Sequence, residues 1–245
     1  MSAGNFARSL RQRFVEGRAA LAPGAARHWT TTVGVGAVLL ALLMLALIRL
    51  VGHLDRSGAL VWETPYLEEL IAEGPFSFST AVWFQSFGSD PTLWILVLAT
   101  AGIAVWARRP LISLSILLAY IGPDLVTRLG WMTWDRARPL VLHEGFASPG
   151  FHAFPSGHTA KTLCVYGLLC LLWMKATSSW LERIIALGIL AFLALVVPLG
   201  RASMGVHWPT DILAGWLIGL VWLIVLALAL GWERRVEPES EEPAV

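Results

Sequence analysis

Three short patterns in the sequence set chemically capable side chains at fixed spacing. The first is Arg138-Pro139, with Arg136 just ahead of it. The second is Pro155-Ser156-Gly157-His158, and the third runs from Arg201 through His207 to Asp211. An arginine guanidinium presents a charged planar fork of N–H donors that matches phosphate oxygens. Proline and serine suit a helix entrance, where unpaired backbone N–H groups attract an anion, and Gly157 lets that backbone come close. His207 and Asp211 stand four residues apart, so on a helix they share a face, where the carboxylate can hold a ring N–H of the histidine and fix its tautomer. Two histidines, two arginines, a helix entrance and an orienting carboxylate describe phosphoryl transfer, which rests on positioning and on stabilising charge on the equatorial oxygens. One histidine attacks phosphorus to form a phosphohistidine; the other protonates the leaving oxygen and then activates water. His207, with Asp211 beside it, fits the nucleophile, and His158 fits the acid/base. A metal is not expected, because no cysteine or second carboxylate accompanies the histidines at ligand spacing.

The elements that must hold these residues are membrane spans. Of the 245 residues 56% are apolar and 14% charged, against roughly 25% charged in an ordinary soluble domain. That deficit excludes a disordered chain, a nucleic-acid binder with a basic stripe and a water-soluble enzyme of this length. Apolar runs long enough to cross a bilayer lie at about 31–51, 92–107, 111–131, 157–174, 183–199 and 210–232. The second and fifth are short and must recruit flanking residues. The fold class is therefore all-α, a polytopic bundle of six transmembrane helices: a basic tail over 1–30, a membrane domain over 31–232 and an acidic tail over 233–245. Cys164 and Cys170, six positions apart on one helix, are about 9 Å apart and form no bridge.

Charge sets the orientation. Arg8, Arg11, Arg13, Arg18 and Arg27 precede the first span; Arg108, Arg109, Lys175, Arg183, Arg234 and Arg235 fill the other segments on that side. The loop 52–91 opposite carries Arg56 alone against Asp55, Glu63, Glu68, Glu69, Glu73 and Asp90. Both termini are expected in the cytoplasm, and all three patterns then fall at the outer side. Within 52–91, Thr64-Pro65 reads as a helix start and Gly74 as its stop, and Thr80 to Phe87 forms a second, aromatic-rich piece; both are expected as short interfacial helices. The thirteen tryptophans read as interfacial belts and packing.

The three patterns resemble the signature motifs of the type 2 phosphatidic acid phosphatase (PAP2) superfamily, which holds lipid phosphatases and, on a soluble fold, vanadium-dependent haloperoxidases. The resemblance covers about 123 to 220. It implies that His207 is the nucleophile, Asp211 its partner and His158 the acid/base, that Arg138, Ser156, Gly157 and Arg201 bind phosphate, and that no cofactor is needed. Two positions depart from the family pattern. Its first motif is Lys-x6-Arg-Pro, yet Trp131 stands seven residues before Arg138; its third usually opens Ser-Arg, yet Gly200 precedes Arg201. Lys161, three residues after His158 and on its face of the helix, is the expected replacement as a phosphate contact, with pairing to Asp124 as the alternative. Arg128, one turn after Asp124, is expected to pair with it. The implied activity is that of an inner-membrane lipid phosphatase of bacterial type. Its substrate partner is a lipid phosphate or diphosphate of the undecaprenyl diphosphate, phosphatidic acid or phosphatidylglycerol phosphate class, with membrane lipids around it and no nucleic acid. A phosphotransferase that delivers the phosphate to a lipid or sugar hydroxyl, and a non-catalytic lipid binder or transporter, are the alternatives.

Overall fold

The computed structural model describes residues 3–139 and 152–231. In chain order the helices are α1 (Ala3–Ala19), α2 (Ala25–Arg56), α3 (Glu63–Glu73), α4 (Phe78–Gln85), α5 (Asp90–Trp106), α6 (Pro110–Thr133), α7 (Gly157–Ala176), α8 (Trp180–Ser203) and α9 (Pro209–Leu230), with a 3-10 turn at Ser86–Gly88. Among the described residues six stretches are long and apolar enough to cross a membrane: α2, the run from α4 through α5, α6, α7, α8 and α9. Local signals start several of them. Pro110 and Pro209 sit in the first turns of α6 and α9, and the Ser77 and Ser179 hydroxyls accept from the Thr80 and Glu182 amides at the starts of α4 and α8. The acidic tail beyond 232 lies outside the described residues.

The bundle is built around α7, which packs on α9, α8 and α6, with α2 closing against α9. Lipid offers no hydrophobic drive between helices, so close packing of small residues must do the work. On α9, Gly215 and Gly219 stand four apart; a Cβ on either would come within 2.6 Å of the carbonyl oxygens of Ser156 and Ala160. Backbone therefore lies on backbone at the end of α7 that carries His158. Prolines inside spans free carbonyls that water cannot reach. Pro198 in α8 leaves the Ala194 carbonyl without its helical donor, and the Trp216 indole N–H supplies one at 2.8 Å.

The two short helices in the 52–91 loop are present, each slightly shifted from expectation. α3 begins at Glu63 after Trp62, so Thr64 lies inside the helix rather than capping it, and Glu63 is 1% exposed. α3 seats Leu67 on Ala202 and Ile212, and α4 seats Ala81 beside Met204 and Val206. The two helices thus brace the turn between α8 and α9. That packing accounts for Gly200: a side chain there would meet the Ala81 carbonyl at 2.9 Å.

The first thirty residues contain a helix that their polarity does not announce. α1 turns Phe6 and Leu10 toward Leu98, Ile103 and Trp106 of α5. Arg13 donates to the Trp106 carbonyl at 2.9 Å with its guanidinium over the indole, and Arg108 Nε donates to Glu16 at 2.6 Å. These contacts hold α1 at the end of the bundle opposite the site.

Candidate active site

The three patterns converge at one end of the bundle, where an extended stretch after α6, the start of α7 and the turn from α8 into α9 meet. Ser156 precedes the first turn of α7, and no side chain caps that turn, so its amides remain available to an anion. The Ser156 amide donates to the Asp211 carbonyl at 3.0 Å, which ties the entrance of α7 to the first turn of α9. Thr159 Oγ1 donates to Ser156 Oγ at 2.9 Å and fixes the hydroxyl. Gly157 stands with its bare Cα toward Thr127 of α6. His158 lies within reach of the charges of Arg201, Lys161 and Arg138 and of His207.

His207 is 2% exposed. Its Nδ1–H donates to the Ala153 carbonyl at 2.9 Å, not to Asp211 as the i,i+4 spacing suggests; the Asp211 Oδ2 is 3.7 Å from Nδ1. Asp211 is already committed. Its Oδ2 accepts from the Trp208 amide at 2.8 Å, and its Oδ1 accepts from Arg136 Nη1 at 2.7 Å. The ring is nonetheless fixed as the Nδ1–H tautomer, because a carbonyl can only accept, and Nε2 keeps a free lone pair. Burial holds the His207 pKa well below the usual imidazole value, and the charges of Arg201 and Arg138 push the same way, so at neutral pH the ring is neutral.

Arg201 is 9% exposed, and its Nε is buried with no hydrogen-bond partner among the described residues. One Nη reaches Gln85 Oε1 at 3.4 Å. A buried guanidinium edge left unsatisfied implies a missing acceptor, and a phosphate oxygen has that chemistry. Burial lowers the Arg138 pKa while the Asp211 charge opposes the fall. Lys161 carries its ammonium to Asp90 and to Asp124 Oδ1, the latter at 3.2 Å, and Arg128 Nε bonds Asp124 Oδ2 at 2.8 Å. Asp124 thus pairs with Arg128 as expected, and Lys161 makes the Asp124 pairing that was the alternative to its expected role as a phosphate contact. Asp90, which sequence reasoning placed in a loop, is the lysine's second carboxylate. Trp131, at the family's lysine position, stacks on His152 with ring centroids 5.5 Å apart.

Two further residues of the site were not singled out from sequence. Arg136 reaches Thr210 Oγ1 at 2.8 Å, Asp211 at 2.7 Å and Glu63 Oε2 at 2.7 Å. Glu63 Oε1 accepts from both the amide and the hydroxyl of Thr210 at 2.8 Å. Proximity to Arg138 was the one available hint for Arg136. Glu63 was one of several acids in a loop.

A bundle of membrane-spanning helices that gathers two histidines and two arginines around an uncapped helix entrance is the architecture of a membrane phosphatase. The chain belongs to the PAP2 superfamily, whose description matches residues 111–235, about half of the chain. It is similar to the undecaprenyl-diphosphatase of Sulfolobus acidocaldarius, 26% identical over 157 residues that make up 61% of this chain and 68% of that one. It is also similar to phosphatidylglycerophosphatase B of Bacillus subtilis, 28% identical over 148 residues, 58% of this chain and 68% of that one. In fold it matches the crystal structure of a transmembrane PAP2-type phosphatidylglycerolphosphate phosphatase from Bacillus subtilis, with TM-score 0.65 and 21% identity over 78% of this chain and 94% of that one. A second likeness is LpxE of Aquifex aeolicus, with TM-score 0.50 and 24% identity over 68% and 94%. The chain is a multi-pass membrane protein of a lipid phosphatase family.

Proposed function

We propose that this protein hydrolyses the phosphate or diphosphate headgroup of a membrane lipid through a phosphohistidine, without a metal, on the outer face of a bacterial cytoplasmic membrane. The observation that carries the reading is His207: a buried, neutral imidazole with Nδ1–H committed to the Ala153 carbonyl, so that the lone pair is on Nε2, and with Arg201 and Arg138 close enough to bear on its charge. The Nε2 lone pair attacks phosphorus and the bond from phosphorus to the leaving oxygen breaks. His158, which takes up a proton when the anionic headgroup binds beside it, hands that proton to the leaving oxygen and then takes one from the water that cleaves the P–N bond. Arg138, Arg201, Ser156 and the amides at Gly157 hold the equatorial oxygens through both steps. The Asp211 charge beside the ring favours the imidazolium character that develops as the P–N bond forms. Lys161, balanced by Asp90, joins α7 to α5 and α6 behind His158.

A lipid substrate is supported by an apolar groove of about 530 Å³ that opens beside this end of the bundle, lined by Trp62, Tyr66, Leu199, Ala202, Ile212 and Trp216 among others. Ala202 and Ile212 directly follow Arg201 and Asp211 in the chain, so the groove runs along the same ends of α8 and α9 that carry these two site residues. The names of the relatives set the two substrates to try first, undecaprenyl diphosphate and phosphatidylglycerol phosphate, and phosphatidic acid completes the panel. The test is phosphate release from that panel by the purified protein in detergent, with and without an acceptor lipid. Release to water at equal rates with acceptor present, insensitivity to chelator, and an acid-labile, base-stable phospho-label lost in His207→Ala are the expected results. Transfer to the acceptor identifies a phosphotransferase, and a label that survives His207→Ala overturns the nucleophile.

A further inference from the structure

The ring of His207 is oriented by a group that belongs to none of the three patterns. Arg136 acts on it twice. Its side chain grips Asp211 Oδ1 and Thr210 Oγ1 in the first turn of α9. Its main-chain carbonyl accepts from the Ala153 amide at 3.0 Å, and the Ala153 carbonyl in turn accepts from His207 Nδ1–H at 2.9 Å. One residue thus sets the carbonyl that selects the tautomer and the carboxylate that sits 3.7 Å from the same nitrogen. The next residue is strapped down as well, since the Trp208 indole N–H donates to the Ala137 carbonyl at 2.9 Å. Arg138 follows directly on this strap.

Arg136 needs its own anchor. It is 6% exposed, and burying a guanidinium is costly unless each edge meets an acceptor. Glu63 supplies the second carboxylate from α3, its other oxygen taking both donors of Thr210. Asp211 is fully buried, so the three charges form one closed cluster, with half-exposed Asp55 at 3.7 Å as the outermost member. The Glu63 and Asp211 carboxylates outweigh burial and raise the Arg136 pKa, so the guanidinium stays charged.

We propose that Glu63 and Arg136 are positioning residues for the nucleophile. They hold His207 in the Nδ1–H tautomer with Nε2 aimed at phosphorus, and so make the seating of α3 a condition for phosphoryl transfer. This rests on the reading of His207 as nucleophile given above. Two conservative variants isolate the effect. Glu63→Gln keeps an acceptor for Thr210 and removes the charge facing Arg136; Arg136→Lys keeps the charge and loses the fork. Partners that orient a metal-ligating histidine typically matter by about 10- to 100-fold; a fall in kcat of the same order is expected for each variant, with KM little changed. The two residues act as a unit, so the double variant is expected to lose no more than the worse single one. A second readout needs no turnover. In histidine-labelled protein in detergent, the ¹⁵N signals of His207, assigned by their loss in His207→Gln, are expected to report one tautomer in the wild type and a mixture in either variant. Unchanged ring signals in both variants overturn the proposal, as do losses that multiply in the double variant. If the wild type releases no phosphate from any lipid, the functional reading fails, and the tautomer measurement still decides the positioning role.

Discussion

His207 and Lys161 show how burial decides what a titratable side chain can do. Burial of the imidazole, and then the guanidinium charges around it, suppresses its protonation, so the lone pair survives acidification. An unperturbed histidine loses half its nucleophile near pH 6.5. Here single-turnover phosphorylation of His207 is expected to persist as pH falls through that value, and a fall with an apparent pKa near it contradicts the neutral, buried ring. Lys161 presents the opposite case, a charge neutralised by contact. Lys161→Met leaves Asp124 with Arg128 and takes from Asp90 its salt-bridge partner. The expected result is a loss of stability of about 1 kcal/mol, the low end of the cost of stranding a polar group because Asp90 is half exposed, read as a lower Tm in detergent with a modest loss of rate. An unchanged Tm with a sharply higher KM instead marks Lys161 as a phosphate contact. Most of these residues were legible in the sequence, because Arg138, Ser156, Gly157, His158, Arg201, His207 and Asp211 each sit in a local pattern. Glu63, Arg136 and Asp90 were not. Their partners are 71 to 75 residues away along the chain, and a long-range ion pair leaves no local spacing to read.

At the scale of the elements, hydropathy located the spans because lipid demands a long apolar run, but it is blind to which face meets which helix. The contact of α7 with α9 rests on Gly215 and Gly219, which in sequence are two glycines among twenty-two. α1 escaped for the converse reason: its narrow apolar stripe, Phe6 and Leu10 among arginines, is too short to register as a span and finds its place by packing on α5. The α7–α9 contact is also what carries the Ser156–Asp211 backbone bond, so packing and site geometry cannot be varied separately here. Gly219→Leu drives a side chain into the Ala160 carbonyl, an overpacking that typically costs about 1–3 kcal/mol. It is expected to lower Tm and to reduce kcat disproportionately, because His158 rides on the displaced helix. Gly188, with no atom within 4 Å of a Cβ built there, is the control, and Gly188→Leu is expected to leave both quantities near wild type. Equal behaviour of the two variants removes the packing argument.

For the molecule as a whole, the end that holds the site and the end where the cations of the N-terminal helix and the short loops gather are opposite. α1 with Arg8, Arg11, Arg13 and Arg18, the Arg108–Arg109 turn and the Lys175–Arg183 loop lie together, away from His207 and the acidic α3. Cations in short loops stay on the cytoplasmic side, so the site is expected to open outward, where a headgroup reaches it without crossing the bilayer and released phosphate leaves on the same side. Thiol labelling tests this cleanly, because the native Cys164 and Cys170 are both buried. Glu69→Cys, on the exposed face of α3, is expected to react with an impermeant maleimide in intact cells. Ser178→Cys, in the exposed turn between α7 and α8, is expected to react only after permeabilisation. Lipid phosphate presented to sealed, right-side-out vesicles is then hydrolysed without detergent, and the phosphate appears in the external medium. The reverse labelling pattern turns the molecule over, places the nucleophile in the cytoplasm, and requires the basic end to have been carried across the membrane against its charge.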